Sequence, residues 1–190
     1  YKHFLKRIID FVLAFIALTI LSPILIPVII GLLLTGEHYV FYFQKRIGYK
    51  NKSFFIWKFA TMLKASPNLA GGLHTTRKDP RILPMGGFLR KTKINELPQI
   101  INILKGDMSI VGPRPEQPKF VEEFSAALSY YRRRHIIRPG ITGWGQINTK
   151  TYQLTIEDIK KRTKYDFYYI ENISLRLDFE IMFRTVLTML

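Results

Sequence analysis

The hydrophobic pattern divides the chain into an apolar N-terminal run and a mixed remainder. Residues 11–36, FVLAFIALTILSPILIPVIIGLLLTG, carry no charge. At about 1.5 Å per residue this run is long enough to cross a bilayer as a helix. A single transmembrane helix is the usual reading, and two features argue against it. Ser22-Pro23 stands mid-run with Pro27 a turn later, and proline bends or breaks a helix. Basic residues flank both ends: Lys2, Lys6 and Arg7 before, Lys45, Arg46, Lys50 and Lys52 after. Both flanks therefore ask for the cytoplasmic side. A helix that enters, bends at Ser22-Pro23 and returns to the same face satisfies both, with the Ser22 hydroxyl available to a freed backbone group.

The pattern then shortens. YVFYFQKRIG and SFFIWKFATM, separated by YKNK, are aromatic and β-branched runs around a polar turn, which predicts a β-hairpin. Residues 66–87 form a loop punctuated by Gly71-Gly72, Asp79-Pro80 and Gly86-Gly87. Ile94, Leu97, Ile101 and Leu104 fall on one helical face. Pro98 belongs near the start of that helix, and Lys105-Gly106 marks its end. A helix over 118–138 carries a basic stripe, Arg132-Arg133-Arg134 with Arg138. A Gly-rich loop follows at 138–146, then a helix over 155–172. The apolar tail Leu175–Leu190 is short for a span, so it either lies on a membrane surface or packs as a core helix. Together these elements predict a mixed α/β, predominantly helical fold. Its parts are a membrane-helix region at 1–36 and one small domain at 37–190.

Charge changes the picture. Across 190 residues, 29 Lys and Arg face 14 Asp and Glu, a net charge of +15. Such a balance implies an anionic partner: nucleic acid, an anionic membrane surface or phosphorylated substrates. None of the signature motifs of nucleic-acid modules occurs, and the uncharged run has no role in one. With no cysteine there is neither a disulfide framework nor a thiolate metal site. His3, His38, His74 and His135 are scattered without ligand spacing.

The usable chemistry concentrates in Leu89–Pro115, LRKTKINELPQIINILKGDMSIVGPRP. Asn95 and Glu96 sit at the positive end of a helix beside Arg90, Lys91 and Lys93. That place suits a phosphate or a phosphate-bound metal. Gly112-Pro113-Arg114-Pro115 is a stiff turn, and it also holds a guanidinium at a fixed position, able to grip phosphate with two bonds.

Six ordered stretches resemble the bacterial sugar transferase family, the small monotopic phosphoglycosyl transferases. Gln44-Lys45-Arg46-Ile47-Gly48, after Phe43, is similar to the family's Q-x-R-x-G. Lys58-Phe59-Ala60-Thr61-Met62 resembles K-F-R-T-M, and Asp79-Pro80-Arg81-Ile82 resembles D-P-R-[IV]. Asn95-Glu96-Leu97-Pro98-Gln99 resembles D-E-L-P-Q. Gly106–Pro115 resembles G-D-M-S-[LI]-V-G-P-R-P, and Pro139–Gly143 resembles P-G-[IL]-T-G.

The resemblance implies an enzyme at the cytoplasmic face of the bacterial inner membrane, seated on a re-entrant helix with a β-hairpin and interfacial helices. It would move a sugar-1-phosphate from a UDP-sugar to undecaprenyl phosphate, release UMP and require Mg²⁺. Membrane lipids, and no nucleic acid, would be its other partners. Carried over residue by residue, Glu96 would serve metal and catalysis. Lys58, Arg90 and Arg114, the last set between Pro113 and Pro115, would bind substrate, and Ser22-Pro23 would form the membrane bend. Two departures stand out: Ala60 for the family's Arg, and Asn95 where the family has an attacking Asp. An amide is a poor nucleophile. Four explanations follow: an engineered Asn, an inactive homologue or scaffold, attack by Glu96, or direct attack by the lipid phosphate. The transferred sugar and the oligomeric state, a homodimer included, stay open.

Overall fold

The computed structural model describes residues 4–35, 37–66, 79–149 and 155–189. His3, His74, Lys2 and the Gly71-Gly72 turn lie outside the described residues.

Helix α1 runs without interruption from Phe4 to Thr35 with Pro23 and Pro27 inside it. Pro23 has no N–H to offer the carbonyl of Thr19, four residues back. The Ser22 hydroxyl donates to that carbonyl at 2.8 Å, which compensates the loss. One side of α1 is buried along its length. Ala14 packs with Ile56, Ile100, Ile103 and Met108. Leu25, Val28 and Leu32 pack with Phe59 and Leu89. The other side leaves Phe11, Phe15, Ile20, Ile24, Ile26, Ile30 and Leu34 exposed.

Strands β1 (Phe41–Ile47) and β2 (Ser53–Phe59) form the expected antiparallel hairpin, with Tyr42 opposite Lys58 and Phe43 opposite Trp57. Side chains alternate along each strand. Phe43 and Trp57 meet edge to face at 4.7 Å on one side, while Tyr42, Gln44, Arg46 and Lys58 line a cavity on the other. Helix α2 (Gly86–Lys91) begins where its first glycine meets the backbone of Thr61, so closely that a Cβ would stand 2.2 Å from the Thr61 oxygen.

The central helix is shorter than its pattern, and its phase is reset. Ile94–Glu96 is a 3-10 turn, and α3 runs from Gln99 to Lys105 behind Pro98. The expected single stripe is therefore split. Ile94 and Leu97 pack on the Leu25–Val28–Leu32 cluster, whereas Ile100 and Ile103 fill the other. Gly106 closes α3 in the left-handed region at φ 91°, as the sequence asks. Strand β3 (Ser109–Val111) then pairs in parallel with β4 (Gly140–Thr142). The glycines of this second loop bring backbone to backbone, with Gly140 against Gly112. They serve tight packing.

The helix expected over 118–138 is a second correction. Helix α4 (Pro118–Ala127) stops short, and Tyr131–Ile136 is a separate 3-10 turn. Leu128 is extended, which lets Val121, Phe124, Leu128 and Tyr131 enter one cluster with Ile159. The basic stripe dissolves as a result. Arg132 and Arg133 face outward, while Arg134 is buried, 2.7 Å from Asp166. Short α5 (Trp144–Asn148), α6 (Ile156–Glu171) and α7 (Leu175–Met189) complete the chain. Helix α7 packs on the core along one face, as the second alternative read for the tail has it. It buries Leu177 and Ile181 and exposes Phe179, Phe183, Val186 and Leu187. Small two-stranded sheets among helices give the mixed, predominantly helical class expected.

Candidate active site

Four parts of the chain converge on one cavity of about 370 Å³. The polar side of the hairpin supplies Arg46 and Lys58. The turn after α2 supplies Asn95 and Glu96, reached through Lys93 in the left-handed region at φ 62°. The segment after β3 supplies Arg114, stiffened by buried Pro113 and Pro115. Arg90 comes from the end of α2.

At the centre, Lys58 Nζ donates to Glu96 Oε1 at 2.8 Å, and Arg114 Nη2 approaches the same oxygen at 3.5 Å. Burial alone would raise the Glu96 pKa. Lys58 and Arg114 outweigh it and hold the carboxyl at about 2. The Lys58 pKa is pushed below its ordinary value, first by burial and further by the neighbouring Arg114, against the pull of Glu96. Arg46 straps the hairpin to the arginine segment. It donates to the Pro115 carbonyl at 3.0 Å and to Gln44 at 2.5 Å, and it faces Glu116 at 3.5 Å. Arg81 is held by Asp79 at 2.6 Å on the cavity wall.

The lining cations are therefore Arg46, Lys58, Arg81, Arg90, Lys93 and Arg114, against Glu96 as the lining carboxylate. Such a surface receives a multiply charged anion. A metal ion is a narrower question. Among the described residues no three His, Asp or Glu side chains converge to hold one. Glu96 offers its second carboxylate oxygen, and the buried Asn95 Oδ1 has no hydrogen-bond partner. One carboxylate and one amide oxygen do not make a closed cage. They do fit Mg²⁺ that brings phosphate oxygens and water as its remaining ligands.

Lys58, Arg90, Asn95, Glu96 and Arg114, all singled out from sequence, line the same cavity. Pro113 and Pro115 are buried beside it and shape the backbone. Ser22 and Pro23 belong to α1 and are not part of the lining. The sequence reading placed Lys93 beside the site without giving it a role, and did not assign Gln44, Arg46, Arg81, Tyr39 or Tyr42, although all line it. The alternation of β1 could have found Tyr42, Gln44 and Arg46, which share one face of the strand.

The cavity is lined by six cations, and α1 presents a long apolar face outside it. Residues 1–190 match the family model for the bacterial sugar transferases, and the chain belongs to that family. It is 41% identical over 187 residues to the UDP-N-acetylgalactosamine-undecaprenyl-phosphate N-acetylgalactosaminephosphotransferase of Aeromonas hydrophila, a match covering 98% of this chain and 44% of that protein. It is 40% identical over 186 residues to the UDP-glucose:undecaprenyl-phosphate glucose-1-phosphate transferase of Escherichia coli K12, covering 97% and 40%. It is also 36% identical over 197 residues to the exopolysaccharide production protein ExoY of Sinorhizobium fredii, covering 95% and 83%. The chain thus spans less than half the length of the first two relatives.

Proposed function

We propose that the protein transfers a sugar-1-phosphate from a UDP-sugar to undecaprenyl phosphate and releases UMP, as the first membrane step of a bacterial glycoconjugate. The observation that carries this reading is the Lys58–Glu96–Arg114 centre inside a cation-lined cavity. The substrates that the two transferase relatives' names state agree with it. An oxygen of the lipid phosphate attacks the β-phosphorus of the UDP-sugar. The bond from that phosphorus to the bridging oxygen breaks, and UMP leaves with the electron pair. Lys58 and Arg114 bind the diphosphate, Arg90 binds a further phosphate oxygen, and Glu96 orients both central cations. Catalysis of this kind is largely positioning and charge stabilisation. Mg²⁺, held by Glu96 with the Asn95 oxygen alongside, would supply further neutralisation of the diphosphate when bound.

We favour direct transfer over a covalent carrier. Asn95 offers an amide, and Glu96 is a weak nucleophile because two cations hold its pKa at about 2. A second reading, a scaffold that binds nucleotide sugar or lipid phosphate without turnover, rests on Asn95 alone. We also infer a re-entrant α1 at the cytoplasmic face of the inner membrane, bent at Ser22-Pro23. The first turns and the C-terminal half of α1 both pack on the same folded body, which supports entry and return on one side.

The deciding experiment screens radiolabelled UDP-sugars against undecaprenyl phosphate in liposomes. Labelled lipid and UMP appearing only with both substrates is the expected result. UDP-sugar binding without turnover would favour the scaffold.

A further inference from the structure

Strand β3 leads within three residues of Val111 to Arg114, and side chains from three helices grip it. From α1, Asp10 accepts the Ser109 hydroxyl at 2.7 Å and the Ile110 N–H at 3.1 Å. Also from α1, Lys6 donates to Asp178 of α7 at 2.6 Å. The Tyr169 hydroxyl of α6 shares its proton between Asp178 Oδ1 at 2.6 Å and the Val111 carbonyl at 3.2 Å. Asp10, Lys6, Asp178 and Tyr169 are all buried.

Charges desolvated in this way contribute little net stability and are better explained by what they fix in place. What this cluster fixes is the strand that carries the site arginine. We propose that Asp10 is a positioning residue for Arg114: through the Asp10–Ser109–Ile110 contacts, α1 is a structural part of the anion site as well as an anchor. This inference rests on the reading of the cavity as a diphosphate site.

The test uses the full chain in nanodiscs with inorganic pyrophosphate as the anion probe, read by calorimetry. Hydrogen exchange over residues 109–115 provides a second readout. Asp10→Asn is compared with Asp166→Asn, which breaks the equally buried Arg134 pair, whose Arg134 bonds Asp166 and Tyr131 rather than β3. Ser109→Ala removes one hydroxyl and leaves no unpaired charge, so it remains informative should Asp10→Asn fold poorly. Asp10→Asn is expected to raise exchange over 109–115 and to weaken pyrophosphate binding about tenfold. Ser109→Ala should shift both readouts less in the same direction, and Asp166→Asn should shift neither. Wild type that binds no pyrophosphate would overturn the diphosphate reading and this inference with it. Wild type that binds, with exchange or affinity unchanged in both Asp10→Asn and Ser109→Ala, overturns the positioning role alone. Equal effects from Asp166→Asn would likewise overturn it, reducing the network to general stability.

Discussion

Lys58 and Glu96 form a part-buried ion pair of 2.8 Å across the cavity, joined at the same carboxylate oxygen by Arg114 at 3.5 Å. The pair opposes β2 to the turn after α2, so the carboxylate holds both cations at one place. Glu96→Gln keeps the shape and removes the charge. Turnover should fall by about 100-fold or more, as when a preorganised charged group is lost from a phosphoryl-transfer site. Pyrophosphate affinity should be kept or improved, because a negative charge leaves a cationic pocket. Near-normal turnover in a radiolabel transfer assay would remove Glu96 from the chemistry.

The same pair sets a pH dependence. The Glu96 pKa is depressed to about 2. Its contribution to stability is present above its ordinary value of 4.5 and is lost as pH falls toward 2. Lys58 has its pKa lowered from 10.5. The unfolded chain then binds more protons in the window below 10.5, so this group's contribution to stability rises with pH there. The functional sign is opposite: as Lys58 loses its proton, anion binding weakens at a lower pH than a free lysine would allow. Lys58→Arg should move that alkaline limb upward, measured as pyrophosphate affinity against pH. An unmoved limb would assign it to another group.

Asn102 offers a test of the scaffold under the site. It is fully buried; its Oδ1 accepts the Trp57 N–H at 2.9 Å, and its Nδ2 donates to the Phe55 carbonyl at 2.8 Å. Asn102→Ala leaves both backbone groups of β2 without partners. The expected loss is about 2 kcal/mol of stability, from two part-buried backbone groups left unsatisfied. Denaturant unfolding of the purified chain reads it, and a change under about 1 kcal/mol would mean that water or backbone movement replaces the amide.

What the sequence made legible follows from range. The hairpin was readable because alternation is local, and the end of α3 because Lys105-Gly106 is a local stop. The site emerged because its residues lie in compact motifs. Asn102 lies off the Ile94–Leu97–Ile101–Leu104 face, and nothing local marks it as the hydrogen-bonding hub beneath β2. Lys6 pairs with Asp178, 172 residues away, and no pattern in either segment encodes that partner. Nothing local separates Arg134 from the rest of the basic stripe, because its partner Asp166 lies 32 residues downstream.

Topology can be tested at exposed positions. Lys6 is buried against Asp178 and is a poor probe, whereas Phe4 and Lys45 are exposed. The chain has no cysteine to interfere. Single cysteines at positions 4 and 45 should both react with an impermeant maleimide from the cytoplasmic side only. Labelling from opposite sides would replace the re-entrant helix with a crossing one.

Asn95 decides the route of transfer. Its Oδ1 is buried without a partner, next in sequence to Glu96, at the position where the resemblance implies an attacking carboxylate. Direct transfer needs both substrates present, while a covalent route makes UMP from UDP-sugar alone. Incubation with UDP-sugar alone should therefore release no UMP, and intact mass spectrometry should show no added sugar phosphate. Asn95→Asp places an attacking oxygen in the same position, in the cavity proposed to hold the diphosphate. It should form an adduct on residue 95 and release about one UMP per chain before lipid is added, the burst expected of a covalent intermediate. An adduct on Glu96 in the unaltered protein would show that the neighbouring carboxylate attacks despite its two cations. An adduct elsewhere, with UMP released before lipid, would overturn direct transfer and identify a different nucleophile in the cavity.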